Sequence, residues 1–171
     1  MRDAMSGTRR PLSASRSARA IGSENTPPTV RRYYLAGPMR GIPQYNFPMF
    51  RRVAAALRTI GYDVISPAEL DSPQIRAEAM RSSDGMECDR SGRIGGETAG
   101  EILARDVRIL HDHAAGIVFL PGWEQSRGAR LEAFVGLLRE DFEFHRWDDA
   151  AGVAVTLARR SVQCALHQAW A

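Results

Sequence analysis

Two acidic residues stand where a carboxylate has to be justified. Asp106 lies four residues from both Ile102 and Leu110 and three from Leu103, close to the apolar face of a helix predicted to run from near Glu101 to His113. A charge there must be hydrogen-bonded or open onto a cleft. A boundary aspartate satisfied by backbone amides and a functional carboxylate both fit that spacing. Glu132 falls in the first turn or so of a helix placed to begin around Gly128. The positive end of the helix dipole favours its ionised form there, and an ionised carboxylate is what a nucleophile at an anomeric carbon requires. Acidic residues in first helical turns also serve stability alone, and local context does not separate the two roles.

Two loops carry groups suited to an anion. Ser126, Arg127 and Gly128 offer a hydroxyl, a guanidinium and backbone amides at a helix N-terminus, a combination that suits phosphate. In the run Gly37-Pro38-Met39-Arg40-Gly41, Gly37 permits close backbone approach and Arg40 with Gly41 can hold an anion; an ordinary strand-to-helix turn is the alternative. The full GxGxxG and Walker patterns are missing, so neither a dinucleotide fingerprint nor a P-loop is supported. Tyr45 and Trp123 are placed either to stack on a base or to cover the edge of the core. His111-Asp112-His113 resembles a metal cluster, but neighbouring residues on a helix point apart and no further ligand is spaced to join them. No metal and no cofactor is expected. Cys88 and Cys164 form neither a CxxC pair nor a disulfide framework, which suits a reducing cytoplasm.

The elements that must position these groups alternate. Tyr33–Ala36 reads as a short buried strand. Asn46 is placed to cap a helix in which Phe47, Phe50, Val53, Ala54, Leu57 and Ile60 recur at spacings of three and four until Gly61. Tyr62–Ser66 makes a second strand, completing a strand, helix, strand unit with a right-handed crossover. From Asp71 to about Gly100 the pattern dissolves into polar, glycine-rich sequence, read as an insertion or mobile lid. Gly116–Leu120 is the most hydrophobic strand. A helix marked by Leu131, Phe134, Val135 and Leu138 follows, then a last strand over Phe142–Trp147 and a final helix over 150–171. This predicts an α/β fold: an open, mostly parallel sheet of four to five strands with helices on both faces, a flavodoxin-like or Rossmann-like three-layer arrangement. Ligands in such sheets sit beyond the carboxyl ends of the strands, the position of the loops Gly37–Tyr45 and Pro121–Arg127.

Length and composition set the frame. A chain of 171 residues with 44% hydrophobic and 25% charged content supports one folded domain over 32–171. Residues 1–31 are set apart as a Ser/Arg-rich, disordered extension. A transit peptide and an upstream start codon are the other readings of that leader. The net charge of +3 owes much to Arg2, Arg9, Arg10, Arg16 and Arg19, so nucleic acid is not expected as a partner. No apolar run reaches the roughly 20 residues needed to span a bilayer, and no membrane association is expected.

Three blocks in order carry a resemblance. Tyr34-Leu35-Ala36-Gly37-Pro38-Met39-Arg40-Gly41, Asp106 lying 26 residues before Glu132, and Ser126-Arg127-Gly128-Ala129-Arg130-Leu131-Glu132 resemble the nucleoside 2-deoxyribosyltransferases and the related nucleoside 5′-monophosphate N-glycosidases. The similarity spans about 33–148 and is greatest to a phage and bacterial branch with a like Asn-Phe-Pro helix start and Pro-Gly-Trp-Glu loop. It implies that Glu132 attacks C1′, that Tyr34 orients it, and that Asp106 assists at the base, in a double displacement parallel to that of a retaining glycosidase. Transferases of unphosphorylated nucleosides carry an aspartate at the place of Ser126, whereas the monophosphate hydrolases carry serine. Ser126 and Arg40 therefore favour a nucleoside 5′-monophosphate. Pro38 departs from the pattern, standing where the hydrolases turn a serine toward phosphate. Base exchange between deoxynucleosides and a non-catalytic nucleotide sensor are the competing readings. A homodimer or larger homo-oligomer is implied by the resemblance alone.

Overall fold

Buried backbone must be paired, and the chain meets that demand by alternating strands and helices. The computed structural model describes residues 31–86 and 92–170. The leader and Cys88 lie outside the described residues. Four parallel strands, β1 (Arg32–Ala36), β2 (Asp63–Ile65), β5 (Gly116–Phe119) and β6 (Glu143–Asp148), are joined at one edge by an antiparallel β7 (Val153–Leu157), in the order β2-β1-β5-β6-β7. The register sets Tyr34 opposite Ile117 and Ala36 opposite Phe119. The loops that follow β1 and β5 therefore leave the sheet side by side.

Alternation along β1 and β5 divides the core in two. Leu35, Val118 and Leu120 point to one face and meet Phe50, Val53, Ala54 and Leu57 of α1 (Phe47–Thr59). Tyr34, Ala36, Ile117 and Phe119 point to the other face. There they meet Leu110 of α4 (Ala99–His113), Ala129 and Ala133 of α5 (Arg127–Leu137), and Val162 and Leu166 of α6 (Arg159–Trp170). The mixed α/β fold with a mostly parallel five-stranded sheet is the expected one.

The segment from Asp71 onward is more ordered than its composition suggests. Following α2 (Pro67–Leu70), α3 (Pro73–Arg81) starts at Ser72, whose hydroxyl accepts the Ile75 amide at 3.2 Å, and buries Ile75 and Ala79. A two-stranded hairpin, β3 (Arg93–Ile94) and β4 (Glu97–Thr98), leads into α4. Thr98 and Glu101 form a reciprocal capping box, so α4 begins at Ala99, slightly before the predicted start. The apolar spacing of three and four in α3 was hidden by charged neighbours.

Two further corrections concern local chemistry. Residues after 150 form β7 before α6, because Val153, Val155 and Leu157 alternate at the strand period while the helical spacing starts only at Arg159. Asn46 does not cap α1 with its side chain. Gln44, Tyr45 and Asn46 take three successive left-handed conformations (φ 56°, 49° and 60°), and the Asn46 amide donates instead to the Pro38 carbonyl at 2.8 Å. Such a run costs about 1–2 kcal/mol per residue and needs support. That support includes the Ser82 carbonyl, which accepts the Gln44 amide at 2.9 Å, and the Gly85 carbonyl, which accepts the Gly41 amide at 3.2 Å. Gly85 combines φ 69° with a position where a Cβ would fall 2.1 Å from the Ile42 carbonyl oxygen.

Candidate active site

Tyr34 stands in the middle of β1, so its side chain points to the α4/α5 face and is fully buried. A phenol at that depth must hydrogen-bond. Its hydroxyl donates to Glu132 Oε1 at 3.0 Å, and Asp106 is its second acidic neighbour. Asp106 and Glu132 are 6% and 7% exposed. Strand, α4 and α5 thus bring together the three side chains nominated for chemistry.

The electrostatics differ from the sequence expectation for Glu132. Ser126 caps α5 by accepting the Ala129 amide at 3.3 Å, so the helix starts at Arg127 and Glu132 is its sixth residue. That places it beyond the turn where the dipole acts strongly. Burial dominates instead, with the neighbouring charge of Asp106 added to it, and raises the Glu132 carboxyl to about 8 against the phenolic hydrogen bond, which favours the anion. Asp106 is raised to about 6 by burial, opposed by Arg105. Tyr34 is pushed well above its ordinary value by burial and by the two acids. Burial thus favours the protonated form of both acids, and the larger rise is at Glu132.

Asp106 has a partner that sequence reasoning missed. The Arg105 Nε donates to Asp106 Oδ1 at 2.9 Å, with Nη2 2.8 Å from the same oxygen, and Nη2 also donates to Asp71 Oδ1 at 2.7 Å. The remaining nitrogen, Nη1, reaches the Leu70 carbonyl at 3.4 Å. Asp71 is only 7% exposed and, like Asp106, is raised first by burial, with Arg105 opposing. Asp71 lay in the stretch read as an insertion. The available signal was the rule that a carboxylate on an apolar face needs a counter-charge, with an arginine next to it in the chain.

The expected anion loops are adjacent, but their residues play mixed parts. Gly37 serves packing: a Cβ there would fall 2.7 Å from Leu120 Cβ, so the close approach is to the end of β5. Gly41 takes φ 79° and spends its amide on Gly85. Met39 packs against the α1-side core. Ser126 accepts with its oxygen, which leaves the hydroxyl proton to donate. Gly128 is in the first turn of α5 with open space where a Cβ would be. Arg40 and Arg127 are exposed, and among the described residues neither has an ion-pair partner. The two aromatics cover the edge of the core: Trp123 stacks on Phe119 at 4.0 Å and is 5% exposed, and Tyr45 is 8% exposed within the α1-side core. Both rings serve the core because each sits where a strand-end loop turns back over a helix. Among the described residues no group of three histidines, cysteines or acids could hold a metal ion, and no helix is long and apolar enough to cross a membrane.

Fold and site together define an α/β protein whose distinctive feature is a pair of buried carboxylates gathered on one tyrosine. The model of a family described as a domain of unknown function (DUF4406) matches residues 31–90, a stretch that includes Tyr34, the Gly37–Gly41 loop and Asp71 and ends before Asp106 and Glu132. No curated protein matches the chain.

Proposed function

We propose that the protein is an N-glycosidase that cleaves the base–sugar bond of a (deoxy)nucleoside 5′-monophosphate, with Glu132 as nucleophile. The observation that carries this reading is the Tyr34–Glu132 hydrogen bond at 3.0 Å beside a second buried acid. A retaining displacement needs one ionised carboxylate at C1′ and one protonated acid at the leaving base. The reactive arrangement has Glu132 ionised, so a proton held there must move to Asp106, and the Tyr34 hydroxyl, which donates to Glu132, favours the resulting anion. A Glu132 oxygen then bonds to C1′ as the C1′–N bond breaks, and the departing electron pair takes the Asp106 proton. Water attacks C1′ in the second step, its proton returns to Asp106, and Glu132 is released. A second base in place of water would give transfer instead of hydrolysis.

The Ser126 hydroxyl and the Arg40 and Arg127 guanidiniums, which have no ion-pair partner among the described residues, support a 5′-phosphate on the substrate. Purified protein is expected to release free base from deoxynucleoside monophosphates faster than from the matching nucleosides, as read by chromatography, and Glu132→Ala is expected to abolish release. Faster turnover of nucleosides would instead indicate base exchange. Tight nucleotide binding without base release, unchanged by Glu132→Ala, would indicate a sensor. We further infer, from the resemblance, a homo-oligomer, for which Leu131 on α5 and Leu138 at its C-terminal cap, 37% and 65% exposed, offer an apolar strip.

A further inference from the structure

The Arg105 guanidinium is more than a surface ion pair. Its side chain is three-quarters buried, all three of its nitrogens are engaged, and two of them converge on one oxygen of Asp106. Burial works against its charge, but the hydrogen bonds and charges of Asp71 and Asp106 outweigh that and hold it firmly protonated. Leu70 and Asp71 come from the end of α2, 35 and 34 residues away in the chain. The cation at Asp106 is thus fixed from a separate element and does not swing with α4 alone.

The placement has a consequence for Tyr34. Asp106 Oδ1 is committed to two guanidinium bonds, so the carboxylate cannot rotate about its Cβ–Cγ bond without breaking both. We propose that Arg105, anchored by Asp71, is the positioning residue of the site: it fixes the orientation and charge of Asp106 and so decides which of the two acids on Tyr34 keeps a proton before substrate binds. The inference rests on the reading of Asp106 and Glu132 as the reacting pair. The charged and titratable groups concerned are Arg105 on α4, Asp71 after α2, Tyr34 on β1 and Glu132 on α5, with Arg76 and Glu97 acting on Asp71.

In the ligand-free full chain, the Asp106 carboxyl is followed by carbon-13 NMR and assigned with Asp106→Asn. Removing an opposite charge at this distance is expected to raise its titration by roughly one to three pH units in Arg105→Gln. Arg105→Lys keeps the charge without the fork and is expected to titrate closer to wild type than Arg105→Gln does. It also covers the case in which the glutamine variant fails to fold. In turnover, loss of the fork that orients Asp106 is expected to lower kcat in both variants with KM little changed, against the easier protonation of Asp106 in Arg105→Gln, and lysine should stay nearer to wild type. An unmoved titration in Arg105→Gln overturns the proposal, and so does a lysine variant displaced as far as the one-to-three-unit shift. Should wild type release no base from any nucleotide, the glycosidase reading falls, while the titration still decides whether Arg105 controls Asp106.

Discussion

The Tyr34 hydroxyl has one proton to give and two acids within its reach, and Glu132 receives the bond. Tyr34→Phe removes a hydrogen bond to a group that must become charged, a contact worth about 1.5–3 kcal/mol. Base release is therefore expected to fall roughly 10- to 100-fold. The same change should raise the Glu132 titration further, because the phenolic bond is what favours the anion. A full-speed phenylalanine variant would remove Tyr34 from the chemistry. Asp106 and Glu132 stood out in the chain as an acid at an apolar spacing and an acid after a polar helix start, whereas Tyr34, one of two tyrosines in a buried strand, was singled out only through the resemblance. Arg105 and Asp71 did not stand out. Arginine on a helix and aspartate in a polar stretch are ordinary at their own positions, and only a contact across 34 residues makes them a pair.

At the scale of elements, the strand, helix, strand unit from Tyr33 to Ser66 and the β5–α5 unit were readable because buried apolar residues recur at two clear periods. The elements missed were those that bury little apolar surface, α3, the β3–β4 hairpin and β7, and those set by backbone conformation, such as the left-handed turn at Gln44–Asn46. That turn is held by tertiary contacts with residues 82 and 85, which local pattern does not encode. Helix α5 carries Glu132 on its buried side and Leu131 toward solvent, with the exposed Leu138 at its C-terminal cap. If that apolar strip is the contact of the inferred homo-oligomer, Leu138→Glu places a charge in it. Light scattering should then show the wild-type chain as an oligomer and the variant at a smaller mass. A wild-type chain that is monomeric at tens of micromolar concentration would dispose of the idea.

For the whole molecule, the two most strongly raised carboxyls, Glu132 and Asp106, make stability depend on pH. Glu132 is raised from 4.5 to about 8 and Asp106 from 3.8 to about 6. The folded state binds these protons more tightly than the unfolded chain does, so their contribution is fully present below about pH 4. It is lost as pH climbs through 6 and then 8. His145 pulls the other way, since burial lowers its value and favours the neutral ring as pH rises toward 6.5. Comparing wild type with Glu132→Gln cancels that opposing slope. The glutamine keeps an acceptor for the Tyr34 hydroxyl and has no charge to bury. The two proteins are expected to melt at similar temperatures near pH 4.5 and to diverge above pH 6. By pH 8.5 Glu132→Gln should be the more stable by a few kcal/mol, or about 5 °C or more in Tm. Parallel melting curves across that range would mean that Glu132 is ionised at little cost in the folded protein. The proton shift from Glu132 to Asp106 would then be unnecessary, since the nucleophile would already be charged before substrate arrives.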